Sequence, residues 1–298
     1  MTFIVSILNQ SLILGIMVLG VYITYSLLDF PDLTIDGSFT LGACITATML
    51  VKGYNPVICL MIAGTLGAIA GLMTSLLNTK FKISSLLSGI LMMGVLYTCN
   101  LRLLGKPNIA LFNLNHLFNK GISPIWITLG ALIIVKLALD TFLKTNLGYY
   151  LKGCGMNKTM LQGLGIHPDK IQAIGLMLGN SLAAIAGVLM AQYQGFTDIS
   201  MGNGSLIIGI AAIIMGQSAL KYLKVNPSTK VIIGMIGYQG AIAMTLNFGF
   251  YPSDLKLITT LIVLGFICIG QMKWEKTSKL FRNLKANSLN KLEKEATY

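Results

Sequence analysis

Seven stretches of this chain are apolar for long enough to cross a lipid bilayer, and that decides its solvent before any motif is considered. A spanning helix needs about 20 predominantly apolar residues. The runs 3–28, 54–78, 83–104, 123–141, 171–195, 229–249 and 254–272 meet that need. Two further runs, 39–51 and 205–219, are marginal for a full crossing, and each follows a polar, glycine-containing stretch. They read as half-helices or re-entrant segments, tolerated where their irregular entries face protein or a cavity. Charged residues make up 11% of the chain, against roughly 25% in soluble domains. The expectation is an all-α polytopic membrane protein of about 8–9 membrane segments, with one integrated transmembrane domain over 1–272 and a basic tail over 273–298.

Charge orients the chain. Lys80, Lys82, Lys144, Lys152, Lys158, Lys170, Lys221, Lys224 and Lys230 fall on the same side as the seven Lys/Arg of the tail, whereas Lys52, Arg102, Lys106, Lys120 and Lys256 fall on the other. By the positive-inside rule the richer side, with the C-terminus, is cytoplasmic. The net charge of +12 reflects basic loops beside anionic lipid. It does not indicate nucleic acid, because the basic residues lie between apolar runs. The opening MTFIVSILNQ has no basic region before its apolar run and predicts a retained first helix. Leu280, Leu284 and Leu292 mark a weak amphipathic face in an otherwise solvated tail. The five cysteines include no CxxC, and four lie in apolar runs, where Cys packs as a small buried hydrophobe. No disulfide framework and no metal site is expected.

Within this apolar chain sits a polar knot, LLDFPDLTIDGSF (27–39), holding Asp29, Asp32 and Asp36. Ionisable groups at membrane depth are costly and mark candidate function. The knot has a twin. FPDLTIDGSFTLG (30–42) aligns with FTDISMGNGSLIIG (196–209): Phe30 with Phe196, Asp32 with Asp198 and, after one inserted residue, Gly37-Ser38 with Gly204-Ser205. Each copy lies between a long apolar run and a short one. The orientation above puts the first after an inward-running span and the second after an outward-running one. That is the pattern of two inverted repeats, whose broken helices meet near the midplane and form a substrate path. Candidate pathway residues are Asp32, Thr34, Asp36, Asp198, Ser200 and Asn203. Asp29 has no counterpart and is the weakest candidate. A half-helix N-terminus suits a substrate carboxylate, and a side-chain carboxylate suits a substrate ammonium. The same residues also suit local capping. Asp36-Gly37-Ser38 would start a half-helix near Phe39, Asn203-Gly204-Ser205 would do so before Leu206, and Asp32 and Asp198 would bond backbone left unpaired by the breaks.

Gly175, Gly179, Ala183 and Gly187 recur every four residues and predict a close helix–helix seam, as do Gly67 and Gly71. Lys136 and Asp140, one turn apart, predict a local ion pair. Residues 142–170, FLKTNLGYYLKGCGMNKTMLQGLGIHPDK, are too polar to span, and a short helix is expected between Gly155 and Gly163, with His167 in the loop.

Leu147-Gly148 through Gly165-Ile166 resembles the cytoplasmic coupling segment of ATP-binding cassette importer permeases. Gly148, Gly153, Asn157, Met160, Gly165 and Ile166 match its glycine, small and polar positions. DLTIDGSFTLGA and AQYQGFTDISMGNGSLIIGIAAIIMG extend the resemblance over nearly the whole chain. They point to the branched-chain amino acid and ribose permease superfamily, and within it to the tryptophan/tyrosine uptake group. Gln217, where many relatives carry an acidic residue, and the glycine-containing Lys152-Gly153-Cys154 depart from that pattern. The resemblance implies a homodimeric permease in the bacterial plasma membrane. It also implies a cytoplasmic ATP-binding subunit and an extracytoplasmic binding protein or lipoprotein. The sequence carries no GxxxxGK[ST] phosphate loop, so ATP hydrolysis belongs to another chain. No cofactor and no catalytic residue is expected, since no HExxH or GxSxG motif appears. The alternatives are an ion-coupled secondary transporter using Asp32, Asp36 and Asp198, and a permease for nucleosides or other small heterocycles.

Overall fold

Helix ends in this chain fall where proline, glycine and side-chain acceptors place them. The computed structural model describes residues 2–112, 114–119 and 123–247, together with Leu257, Thr260, Leu261, Leu264 and Gly265. Apart from those five positions, the run expected over 254–272 lies outside the described residues. So do the tail 273–298 with its leucines, Lys120 and Cys268.

The chain opens with α1 (Thr2–Val21), which widens into a π-helical turn over Tyr22–Leu27. Pro31 cannot continue a helix and disfavours one at Phe30. Asp29, at φ 52, turns the chain out of the helix, a conformation that short polar side chains tolerate. α2 (Thr34–Val51), α3 (Pro56–Thr79) and α4 (Ser85–Leu104) follow. Asn55 caps α3 through Val57 N at 2.9 Å, with Pro56 in the first turn. Gly105, at φ 66, closes α4. After a short strand β1 (Asn108–Ala110) come α5 (Pro124–Phe142), α6 (Asn146–Met156), α7 (Lys158–Gly163) and α8 (Pro168–Gln194). Gly195, at φ 72, ends α8, and β2 (Phe196–Asp198), α9 (Ser205–Ala219) and α10 (Pro227–Asn247) complete the described elements. Met1–Gly240 forms one compact unit and Ala241–Tyr298 a second.

Among the described residues six helices are long and apolar enough to cross a membrane: Phe3–Leu27, Thr34–Val51, Pro56–Thr79, Ser85–Leu104, Pro124–Phe142 and Pro168–Gln194. Five coincide with expected spans. The sixth, α2, corrects the reading of 39–51 as a half-helix. It begins at Thr34, so Asp36-Gly37-Ser38 forms its first turn instead of preceding it. α9 has 15 residues, about 22 Å at 1.5 Å per residue, short of a core of about 30 Å. The described part of the run 229–249 lies in a helix, α10, which stands outside the six. The fold is all-helical as expected, with one short ribbon that the sequence did not indicate. β1 and β2 pair antiparallel, with Asn108 opposite Asp198 and Ala110 opposite Phe196.

α8 is the axis on which the rest packs. Its small residues let backbone approach backbone. Gly179 faces Gly20 and Thr24 of α1, Gly187 faces the Phe39 carbonyl of α2, and Gly71 of α3 faces the Leu176 carbonyl. These pairings set direction. α1 meets α8 through Ser6–Tyr193, Gly20–Gly179 and Leu28–Gly175, so the two run antiparallel. α2 meets it through Ser38–Asn180 and Gly42–Ala184, so those run parallel. The small-residue seam expected along α8 is therefore present. The outer faces of α3, α4 and α5 expose large apolar side chains, among them Met61, Val95, Trp126 and Ile134, as surfaces in contact with lipid do. Cys44 and Cys59 are buried as expected, Cys154 is buried although it lies outside the apolar runs, and Cys99 lies exposed on α4.

A methyl added at Gly187 overlaps the Phe39 carbonyl. Gly187→Ala is expected to cost about 1–3 kcal/mol through overpacking and to lower the thermal midpoint of the detergent-purified protein by several degrees. Gly94→Ala is the control, because an added Cβ there meets nothing within 4 Å. Equal midpoints for the two variants would contradict the close seam.

Candidate functional site

The two motif copies meet at the first turn of α2. Asp32 ends the break after α1 and is fully buried. Its Oδ1 accepts the Thr34 amide at 2.9 Å, capping α2. Its Oδ2 accepts Asn180 Nδ2 at 2.7 Å. Asn180 lies at the middle of α8, and its Oδ1 accepts the Ser38 hydroxyl at 2.7 Å. The Thr34 hydroxyl pairs with Thr74 of α3 at 2.8 Å. Asn100 of α4 donates to the Gly37 carbonyl at 3.2 Å. Three neighbouring helices thus bind one turn of α2.

Asp36 does something the sequence did not indicate. Its carboxylate accepts the amides of Gly204 and Leu206, both at 2.8 Å. It is the N-terminal cap of α9, supplied from another helix. The chain reaches that point by running back along α2. Thr197 donates its hydroxyl to the Ala43 carbonyl at 3.3 Å, and the Gly202 amide donates to Thr40 Oγ1 at 3.1 Å. Gly202 is obligatory here, since a Cβ would overlap the Asp36 carbonyl. Gly204, at φ 87, turns the chain into α9. The expected self-capping of α9 by Asn203-Gly204-Ser205 is corrected, and so is the idea of a free helix N-terminus. Two of its amides are already bound by Asp36.

Asp198 is not brought to Asp32 or Asp36. It stands on β2 opposite Asn108 and binds both the amide (2.7 Å) and the hydroxyl of Ser200. Thr197 beside it lies at Ala43, two turns of α2 or about 10 Å from Asp36. Ser200 and Asn203 are exposed, and Asp198 is partly so. The site is therefore a buried joint, with Asp32 and Asp36 satisfied inside, beside a polar rim of Asp198, Ser200 and Asn203. Asn180, Thr40, Thr74 and Asn100 were missed from sequence. Asn180 carried a readable signal, a polar residue midway along a 27-residue apolar helix.

Residues 142–170 hold the short helix expected between Gly155 and Gly163, as α7, and a second helix before it, α6. α6 buries Leu151 and Cys154, and α7 buries Leu161, together with Leu28, Phe30, Ile171 and Leu176. Burial pushes the Cys154 thiol above its ordinary pKa, as suits a packing residue. Asn157 separates the helices and caps α7, its Oδ1 accepting Met160 N at 3.0 Å and Thr159 Oγ1 at 2.5 Å. Gly148 admits Leu143 backbone at 2.5 Å from where a Cβ would stand, and Gly153 faces Leu161. Gly165, at φ 74, turns the chain toward α8, and Ile166 packs on the buried cluster. Gly155 lies against the Leu27 carbonyl. Lys158 donates to Gln172 at 2.9 Å, and Gln172 donates to Asn78 at 2.7 Å. Met156, Met160 and Leu164 remain exposed at 89%, 58% and 62%. His167 is the residue before α8. Lys136 and Asp140 pair at 2.7 Å as expected, and Asp140 also accepts Ser228 Oγ at 2.5 Å.

Asp36→Ala orphans two buried amides at about 1–3 kcal/mol each. Hydrogen exchange across 204–208 is expected to accelerate in that variant. Asp36→Asn, which keeps one acceptor oxygen, should fall between. Unchanged protection in Asp36→Ala would place the cap elsewhere.

A family model described as branched-chain amino acid transport system / permease component matches residues 3–269. A tyrosine transport system permease protein of Clostridioides difficile (strain R20291) is 50% identical over 273 residues, 91% of this chain and 92% of that protein. An uncharacterized protein of Rickettsia prowazekii (strain Madrid E) is 35% identical over 286 residues, 92% of this chain and 99% of that one. An autoinducer 2 import system permease protein of Photorhabdus luminescens is 28% identical over 246 residues, 80% of this chain and 71% of that protein.

Proposed function

The chain belongs to the family of branched-chain amino acid transport system permease components, and from that membership we propose that it is the membrane-spanning subunit of an ATP-binding cassette importer for an aromatic amino acid of the tyrosine/tryptophan kind. The observation that carries this reading is half identity with a tyrosine transport permease across nine-tenths of both chains. In this reading the transmembrane domain over 1–272 works as a homodimer in the bacterial plasma membrane, with the 273–298 tail in the cytoplasm. A cytoplasmic ATP-binding subunit supplies the energy, and an extracytoplasmic binding protein or lipoprotein delivers the substrate.

The substrate pathway runs past the joint of the two motif copies, which form an inverted repeat. Asp32, Thr34 and Asp36 hold the joint, and Asp198, Ser200 and Asn203 give it a polar rim. Support for this division comes from burial: the first three have their hydrogen bonds inside the protein, whereas Ser200 and Asn203 are exposed. The ATPase docks on α6 and α7. Their fold is set by Gly148, Gly153, Asn157, Gly165 and Ile166, and their exposed apolar surface is Met156, Met160 and Leu164. Apolar side chains grouped on a polar cytoplasmic segment mark a protein interface.

The test is a mild-detergent pulldown of the tagged chain from its native membrane, with partners identified by mass spectrometry. Recovery of an ATPase and a binding protein, the latter retaining tyrosine or tryptophan, is expected. Met160→Asp changes an exposed residue, so the chain should remain monodisperse while ATPase recovery falls about tenfold, the equivalent of about 1.4 kcal/mol. A chain that purifies alone and transports until a protonophore is added would instead be an ion-coupled transporter.

A further inference from the structure

A groove of about 810 Å³ lies between α3 and α4, over Leu41 of α2. That is the size of a ligand cavity, about 300–1,000 Å³. Its floor is Leu41, Ala70 and Leu96, all nearly buried, and its walls include Met73 and Val95, exposed at 51% and 55%. From Leu66 to Leu77 it follows three turns of α3, about 17 Å. The groove is long, narrow and apolar, with one exception.

Arg102 is the single charged residue in its lining, and it lies in the last turn of α4. Among the described residues its guanidinium has no ion-pair partner. An arginine at a membrane helix end is stabilised by reaching the headgroup layer or by meeting an anion. Lys106, just beyond the end of α4, is also exposed and adds positive charge near the same end. Two basic residues at one end of an apolar groove complement an anionic lipid headgroup, here on the side opposite the lysine-rich loops.

We propose that this groove seats an acyl chain of an anionic phospholipid from the surrounding bilayer, with the lipid phosphate held by Arg102. The inference is independent of what the permease carries. Phosphatidylcholine fills the groove equally well and also presents a phosphate, but its quaternary ammonium cancels the headgroup charge and repels the guanidinium, so the anionic lipid is favoured. A helix of a second copy is about 10 Å across. It would lay an apolar surface over Arg102 and strand its charge.

Cys99 provides the readout. It lines the groove one turn before Arg102 and is exposed, whereas Cys44, Cys59 and Cys154 are buried. In a Cys268→Ser background, maleimide labelling of the delipidated protein in detergent would be followed while phosphatidylglycerol or phosphatidylcholine is titrated in. Phosphatidylglycerol is expected to slow labelling about tenfold at concentrations where phosphatidylcholine has little effect. Arg102→Gln should abolish that difference. Val95→Trp, which fills the groove from its exposed wall, should slow labelling without lipid. Equal protection by both lipids, or a preference that survives Arg102→Gln, overturns the proposal. A Cys99–Cys99 disulfide dimer that forms despite phosphatidylglycerol also overturns it and makes the second copy the occupant.

Discussion

The hydrocarbon core of a bilayer offers no water to a backbone amide, so a chain that breaks a helix there must supply the acceptors itself. Asp36 meets that demand for α9 by accepting two amides at 2.8 Å. Much else follows from this one carboxylate. α9 can begin only where Asp36 stands, so residues 195–204 must run back along α2 to reach it. Running back leaves backbone groups to be partnered on the way: Thr40 of α2 accepts the Gly202 amide, and the Thr197 hydroxyl fastens the segment to the Ala43 carbonyl. It also requires Gly202, because the two backbones approach too closely for a side chain. A charge that is expensive at membrane depth is tolerated because it compensates a second unfavourable feature, the bare positive end of a helix.

A cap supplied from another helix works only if that helix is held still. α2 is fixed against α8 through Gly42 and Gly187, where carbonyl oxygens occupy the space of the missing side chains. Asn180 then pins its first turn by binding Asp32 and Ser38 together. Lipid tails are as apolar as leucine, so packing in a membrane depends on close approach and interhelical hydrogen bonds. Glycines and polar residues therefore cooperate in this core. The glycines bring the backbones near enough for short side chains such as Asn180 and Ser38 to reach each other.

How much of this the sequence disclosed depends on the range of the interaction. Spans were legible because length and apolarity are local, and five of them emerged nearly where the runs predicted. The glycine stripe of α8 was legible because its period is local too. The start of α2 was misplaced by five residues, since Asp36-Gly37-Ser38 looks like an N-cap when read alone. The real cap is Asp32, placed by Pro31 and Asp29 ahead of it. The role of Asp36 was hidden for a different reason: its partners lie 168 and 170 residues away, and no pattern within one copy of the motif points to them. The β1–β2 ribbon escaped because three-residue strands leave no periodic signal. Asp198 aligned with Asp32, yet its carboxylate binds Ser200 of its own turn, so a shared motif did not mean a shared environment.

The joint is also where α6 and α7 deliver their contacts. α6 bears on the end of the first span, with Gly155 against the Leu27 carbonyl, five residues before Asp32. α7 reaches the same region by a polar route. Lys158 binds Gln172, Gln172 binds Asn78, and one turn back along α3 from Asn78 stands Thr74, which bonds Thr34. One route is steric and enters through the break after α1. The other is a chain of hydrogen bonds that crosses α8 and enters through α3. Both end on the first turn of α2, the turn that carries Asp36 and through it the start of α9. A close-packed interior transmits displacement instead of absorbing it. A shift of α6 and α7 would therefore be felt at the first turn of α2, where Asp36 binds the start of α9.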